Sequence, residues 1–272
     1  MSKKARSAAF ASAVVAAALV GTAVGAGPWP GLAASVTDAH DVVYLAKQQG
    51  QATIVTATRG SEVLQSARLK GAFGVPAVTL NGNAGGLSVD GKLLVLAQPP
   101  SYETLRQTSR FLVLRTASLR IARTVTLKGD FGYDALSPDG RWLYLLQHRS
   151  VRGPEYAVRA YDLRTGQLWK QVIVDKRTPD EKMNGYPVAR TSSAAGAWVY
   201  TLYRKVSGQP FIHALNTSGR YALCIDFAWT GGSDSIWQLR LSLSENDHML
   251  SVVMPGGEAA VKVDTQTLKV IS

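Results

Sequence analysis

The chain has 272 residues, enough for one sizeable hydrophobic core or two small ones. Its 46% hydrophobic and 18% charged residues exclude a disordered protein, and its single cysteine, Cys224, excludes an intramolecular disulfide. The formal net charge is +11, and without Lys3, Lys4 and Arg6 the remainder carries +8. The basic residues are scattered with no run of five, so we expect a solvated surface that favours anionic partners but not nucleic acid.

The chain opens with a segment typical of export. The basic start is followed by an uncharged stretch, residues 8–26, in which Ala, Val and Leu dominate. Small residues at positions 24–26 stand where a signal peptidase would cut, so we predict a signal peptide over residues 1–26. The alternative is an uncleaved anchor, because about 20 apolar residues can span a bilayer. In both cases the remainder is exported, and the membrane is a partner only if the segment stays uncleaved.

A repeated unit follows. The clearest copies are Leu87–Leu96 and Leu136–Leu145, each with an Asp-Gly turn, a basic residue and an apolar strand. Asp-Gly suits a tight β-turn because glycine accepts a positive φ. Their turns begin at positions 88 and 137, and those of weaker copies at 37, 193 and 244. The turn starts are therefore 51, 49, 56 and 51 residues apart.

A second motif, strand–turn–strand, comes after each of these turns. It is clear in Tyr161–Leu168, recurs in Ala214–Tyr221 and Val263–Leu268, and is faint in Leu114–Leu119. Each unit therefore reads as four strands. For the unit around Ser137 we predict these strands: Asp134–Leu136, Trp142–Gln147, Val158–Asp162 and Leu168–Val174. No long apolar period of 3.6 residues follows Ala26, so helices should be minor.

The SPDGRWLY element at 137–144, with YDLRTGQ at 161–167, resembles the repeats of bacterial YVTN and TolB-like β-propellers. The repeat and the resemblance predict an all-β chain, a β-propeller of about five four-stranded blades over residues 36–272. Residues 27–35 would be a linker or the first inner strand. No spare C-terminal strand is left to latch the ring. It would close by face packing alone, stay open, or be completed by a partner chain.

Loops that enter the innermost strands of a propeller usually carry its ligand site at one end of the central channel. In this chain those segments combine glycine, aromatic rings and charges. The predicted ligand-binding residues are Asp130, Tyr133, Asp134, Tyr186, Arg190, Trp237 and Arg240. Asp134 and Arg190 occupy matching positions of successive units, so the alternative is that they pair with each other across blades. The aromatic residues of the second strands should pack between blades: Trp142, Tyr144, Trp198 and Tyr200.

The sequence contains no paired-cysteine box, His-Glu-x-x-His, Gly-x-Ser-x-Gly or P-loop motif, so we predict no catalytic residue, metal site or cofactor. The histidines lie in different units and read as structural or solvated: His40, His148, His213 and His248. Cys224 lies in an apolar run and reads as a buried, inert thiol.

The favoured function is an exported, non-catalytic propeller that binds a protein or an anionic cell-envelope component. The alternative is a propeller enzyme of the lactonase, lyase or hydrolase type with its site at the channel mouth. A tethered sensor domain is a third reading. Hydrogen bonds among Asp130, Asp134 and His213 in one cleft would favour the enzyme.

Signal cleavage after Ala26 predicts that the exported protein begins at Gly27. N-terminal sequencing of protein recovered outside the cytoplasm checks this directly. Retention of residues 1–26 on the exported chain would instead show that the segment serves as an anchor.

Overall fold

The computed structural model describes residues 29–151 and 153–271, and the predicted signal segment lies outside them. Apart from one 3-10 helix, Ser235–Gln238, the regular structure of these residues consists of β-strands. Most strands belong to five antiparallel sheets that follow one another along the chain. The predicted fold class, an all-β propeller of about five blades, is confirmed.

The sheets are termed blades 1 to 5, and in each one the strands lie side by side in chain order. Ahead of the blades comes β1 (Leu32–Ala33). Blade 1 contains β2 (Ser35–Thr37), β3 (Val42–Gln49), β4 (Ala52–Arg59) and β5 (Glu62–Lys70). The strand β6 (Val75–Pro76) follows and pairs with β1. Blade 2 contains β7 (Leu93–Ala97), β8 (Thr108–Arg115) and β9 (Arg120–Lys128).

Blades 3 to 5 each have four strands. Blade 3 contains β10 (Phe131–Leu136), β11 (Trp142–His148), β12 (Tyr156–Asp162) and β13 (Gln167–Leu168). Blade 4 contains β14 (Tyr186–Ser192), β15 (Trp198–Arg204), β16 (Pro210–Asn216) and β17 (Tyr221–Asp226). Blade 5 contains β18 (Arg240–Leu243), β19 (Met249–Val253), β20 (Ala259–Asp264) and β21 (Lys269–Val270).

The strands of blade 3 follow the prediction except for the fourth. The predicted strand Leu168–Val174 is wrong, because regular pairing ends at Leu168. The amide of Trp169 donates to Ala160 and that of Ile173 to Val158. Five residues of the outer chain, 169–173, thus oppose three of β12, 158–160, and the excess bulges out of the sheet.

Blade 2 lacks a regular innermost strand. Its place is taken by Gly86 and Leu87, where Leu87 forms an isolated bridge with Leu94 and the Val95 amide donates to the Gly86 carbonyl. Gly86 has a φ of +98°, and a Cβ there would lie 2.5 Å from the Val95 carbonyl oxygen. Only glycine allows this close approach, so the backbone leaves β geometry at this point.

The core consists of four buried clusters, one between each pair of successive blades. In β11 of blade 3, Leu143 and Leu145 pack towards blade 2, whereas Tyr144 and Leu146 pack towards blade 4. Both faces of this strand are therefore buried. The predicted role of the second-strand aromatics is confirmed, since Trp142 and Tyr144 pack between blades 3 and 4 and Trp198 and Tyr200 between blades 4 and 5.

The two terminal blades bury only one face each. In β19 of blade 5, Leu250 and Val252 pack against blade 4, and the alternate residues are half-exposed. In β3 of blade 1, Val42 and Tyr44 pack against blade 2, and Leu45 on the other face is 40% exposed. No buried cluster or hydrogen bond of the described residues joins blade 5 to blade 1. Closure of the ring by face packing alone, one of the three predicted alternatives, is therefore not observed between blades 5 and 1 of the described residues.

The segment ahead of blade 1 runs across three blades. Trp29, only 2% exposed, stacks on His148 of blade 3 with ring centroids 4.0 Å apart. Its Nε1 donates to the Ser150 carbonyl at 3.2 Å. The chain then pairs β1 with β6, so the innermost strand of blade 1 is Ser35–Thr37. Residues 29–33 therefore act as a strap over the blades.

Replacing Trp29 by alanine should lower the free energy of unfolding by about 3–5 kcal/mol, because a buried indole is removed and its cavity cannot collapse. Urea unfolding measures the change. Val206→Ala, at a side chain 65% exposed, is the control and should change stability by less than about 0.5 kcal/mol. Equal effects of the two substitutions would contradict the strap.

Candidate functional site

A cavity of about 220 Å³ lies where the innermost strands of the blades converge. Blades 1 to 4 contribute to its wall, mainly with small apolar residues such as Val36, Leu87 and Ala135. Its polar lining residues are Tyr133, Asp134, Arg190, Ser192 and Ser193. Most of the lining comes from the ends of the innermost strands and from the turns that follow them. We term this cavity the channel pocket.

A buried ion pair joins blades 3 and 4 at the channel pocket. The guanidinium of Arg190 donates to Oδ1 and to the backbone carbonyl of Asp134, and its Nε donates to Thr201 Oγ1 at 2.9 Å. The two charged side chains are 11% and 2% exposed. Burial alone would lower the pKa of Arg190, but the Asp134 carboxylate outweighs it and raises that pKa. The cross-blade pairing considered from the sequence is thus present, and it satisfies most donors of the guanidinium.

Tyr133 completes the polar part of the wall. Its side chain is buried, and burial raises the pKa of the phenol far above its ordinary value of 10.0. The phenol is therefore neutral at any physiological pH and can act only through its hydroxyl and its ring.

The channel pocket opens towards the turns. Val89, in the first turn of blade 2, is 50% exposed. Gly196 lies in the equivalent turn of blade 4, and a Cβ added to it would be 3.1 Å from the Cβ of Val89. At the other end, the segment 73–84 crosses from blade 2 to blade 4, where the Leu80 amide donates to the Pro187 carbonyl at 3.0 Å. The strap formed by residues 29–33 lies at that end as well, so the turn end is the accessible one.

Asp130 lies outside the channel pocket, in a separate buried cluster. It accepts hydrogen bonds from Arg106 at 2.7 Å and from His148 Nδ1 at 3.0 Å. Burial would raise the pKa of Asp130, but the bonds from His148 and Arg106 lower it to about 2. Burial also lowers the pKa of His148, whose ring is covered by Trp29. This cluster fastens the strap to blades 2 and 3.

The other three predicted residues lie between blades 4 and 5. The rings of Tyr186 and Trp237 are 6.2 Å apart, and the Arg204 guanidinium lies over the Trp237 ring at 5.6 Å. Arg240 is exposed at the start of β18. The structure therefore brings Tyr133, Asp134 and Arg190 together at the channel pocket and places the remaining four elsewhere.

The arrangement that would favour an enzyme is a cleft in which Asp130, Asp134 and His213 are linked. Asp130 bonds to His148 and Asp134 to Arg190, and no hydrogen bond in the described ranges links any two of the three. Within those ranges no three His, Cys, Asp or Glu residues gather as a metal site. Over the same residues, no helix has the length and apolar character needed to cross a bilayer.

Sequence reasoning missed two parts of this region. Val89 of blade 2 and Gly196 of blade 4 meet across the channel although blade 3 lies between them in the chain, and that contact depends on how the blades are arranged around the axis. Arg106 lies in the loop 98–107 between β7 and β8, which is longer than the equivalent loops of the other blades, so the repeat gave no indication of it. Trp29 of the strap could have been noticed, because it stands between Pro28 and Pro30.

No family model and no curated protein matches the chain. Among solved structures, it is similar to a candidate 6-phosphogluconolactonase from Bacteroides uniformis, with 16% identity, a TM-score of 0.49, and coverage of 87% of this chain and 68% of that one. The Cps50 (Swd1) β-propeller domain of Myceliophteria thermophila matches with 13% identity, a TM-score of 0.48, and coverage of 86% and 66%.

TolB from Acinetobacter baumannii matches with 14% identity and a TM-score of 0.45, over 89% of this chain and 56% of that one. These matches include TolB and other β-propellers, the class that the repeat motif resembles, and the propeller fold itself is shown by the five sheets of this chain. At these identities the likeness concerns the fold alone, and no activity is carried over from these proteins.

The pKa of Asp130 gives a pH prediction. A fall from 3.8 to about 2 corresponds to roughly 2–3 kcal/mol of stability. The unfolded chain takes up this proton near pH 4 and the folded chain only near pH 2, so the contribution is complete above pH 4 and is lost as the pH falls towards 2.

Asp130→Asn should therefore be less stable than the wild type by that amount at pH 7, and the gap should narrow between pH 4 and 2. Urea unfolding across this range measures it. Asp234→Asn, at an exposed carboxylate, serves as the control and should track the wild type. A gap for Asp130→Asn that stays constant with pH would contradict the assignment.

Proposed function

We propose that the chain is an exported, non-catalytic β-propeller that binds a protein or another component of the cell envelope at the channel pocket. The main support is the combination of three features: a small, mainly apolar pocket, the exposed Val89 at its rim, and the buried ion pair of Asp134 and Arg190 in its wall. The apolar start of the sequence supports export, and the net positive charge supports an anionic partner surface.

The size of the pocket favours part of a larger partner as its occupant. Sites for small molecules usually measure roughly 300–1,000 Å³. The channel pocket measures about 220 Å³, enough for one or two side chains. Because Val89 stands exposed at its rim, a partner could rest on the turn end of the blades while one side chain enters the pocket.

The chemistry of the wall favours binding as well. Arg190 is held by Asp134 and Thr201, so its charge is matched inside the protein. Ser192 and Ser193 also line the pocket, and the hydroxyl of Ser193 accepts from the Trp198 amide at 3.0 Å, as part of its own turn. A catalytic nucleophile needs an adjacent base, and the hydrogen bonds of Ser193 are those of a turn residue.

A photo-crosslinking residue at position 89 should form a discrete protein adduct when the purified chain is mixed with the envelope fraction of its native cells. Ser192→Trp, at an exposed side chain on the pocket wall, should abolish that adduct by filling the pocket. Mass spectrometry of the adduct identifies the partner.

Two controls make the test specific. The crosslinker at position 206, an exposed site remote from the pocket, should not give the same adduct, and Ser66→Trp on the outer strand of blade 1 should leave the position-89 adduct intact. An adduct insensitive to Ser192→Trp would overturn the proposal. Lactone hydrolysis by the pure protein that disappears with Ser192→Trp would support the enzyme instead.

A further inference from the structure

A thioether, an imidazole and a thiol meet between blades 3 and 4, away from the channel pocket. Cys224 Sγ lies 3.8 Å from His213 Nδ1 and 4.0 Å from Met183 Sδ. His213 and Cys224 are direct partners across β16 and β17, and Met183 precedes β14. Two rigid neighbouring strands thus hold two of the three groups, and the chain entering blade 4 supplies the third. Cys224 is half-buried, not buried as predicted, because β17 is the outermost strand of blade 4.

His213 supplies the nitrogen of this cluster. The residue is only 2% exposed, and its Nδ1 faces the Cys224 sulfur. A thiol is a weak hydrogen-bond donor, so Nδ1 makes no strong bond that a metal would have to displace.

The distances match those between ligands of one metal ion. Nitrogen and sulfur ligands stand about 2.0 and 2.3 Å from a soft metal, so neighbouring ligands at trigonal angles are roughly 3.7–4.0 Å apart. The two contacts of Cys224 Sγ, with His213 Nδ1 and with Met183 Sδ, are 3.8 and 4.0 Å. The thiol therefore lies at ligand-to-ligand distance from both other groups.

Access to the two sulfur groups is also present. Met183 and Cys224 line a cavity of about 20 Å³, which has room for a single water-sized particle. The charged side chains that line it are the carboxylates of Asp175, Glu181 and Asp226 and the ammonium groups of Lys182 and Lys205. Three negative and two positive charges leave a net charge of −1, which favours a small cation, and the cavity is too narrow for an organic ligand.

We propose that Met183, His213 and Cys224 bind a single Cu(I) ion. Thiolate and thioether ligands select this soft ion, and three ligands suffice for it, whereas a structural zinc site is closed by four. On binding, the Cu–S bond forms, the thiol proton leaves to solvent, and the copper keeps its oxidation state. Burial and the nearby carboxylates raise the pKa of Cys224, so without a cation the thiol stays protonated. The site does not depend on the function proposed for the channel pocket.

Titration of the purified full-length chain with Cu(I), under anaerobic conditions and against bicinchoninate, tests the proposal. One equivalent should be retained in competition with the chelator, and X-ray absorption should show two sulfur ligands and one nitrogen ligand. Met183→Leu preserves volume and should keep the fold, yet weaken Cu(I) binding by about 10-fold or more. Cys224→Ser should abolish retention.

Met254→Leu is the matched control, because it removes an exposed thioether outside the site and should bind as the wild type does. Two outcomes would overturn the proposal. One is a wild-type protein that yields all copper to the chelator. The other is a copper that stays bound equally well in Met183→Leu and Cys224→Ser, which would place it at other side chains. Circular dichroism of each variant establishes that the fold is intact before its affinity is compared.

Discussion

The structure depends on the pairing of sheet faces between blades. A four-stranded antiparallel sheet has two faces, and a blade with apolar residues on both needs a neighbour on each side. Blade 3 meets this condition: the odd-numbered apolar residues of β11 contact blade 2 and the even-numbered ones contact blade 4. Alternate packing along one strand therefore joins each blade to the next, and four such interfaces join five blades.

The candidate sites lie where this stacking leaves space. At the axis the innermost strands cannot fill the centre, so a pocket remains, and the bulky charged side chains of Asp134 and Arg190 neutralise each other in its wall. Between the outer strands of blades 3 and 4, the chain that enters blade 4 brings Met183 against Cys224.

The repeat allowed the strands of blade 3, the blade count and the interblade aromatics to be predicted, since turn chemistry and two-residue periodicity are local properties. The predicted fourth strand of blade 3, Leu168–Val174, was wrong because the bulge after Leu168 depends on pairing with the neighbouring strand. The position of Asp130 away from Asp134 depends on Arg106 and Trp29, which lie outside the repeated sequence motifs. The half-exposed outer face of blade 5 was readable, since Ser251 and Lys262 alternate with apolar residues along β19 and β20.

Thiol labelling of single cysteines, placed in a Cys224→Ser background, tests the stacking most directly. Leu45→Cys on the outer face of blade 1 and Ser251→Cys on the outer face of blade 5 should react rapidly in the native protein. Leu145→Cys, at a fully buried position between blades 2 and 3, should react only on global unfolding. Protection of the first two equal to that of Leu145→Cys would show that blades 1 and 5 cover each other. Rapid labelling of Leu145→Cys would contradict the stack itself.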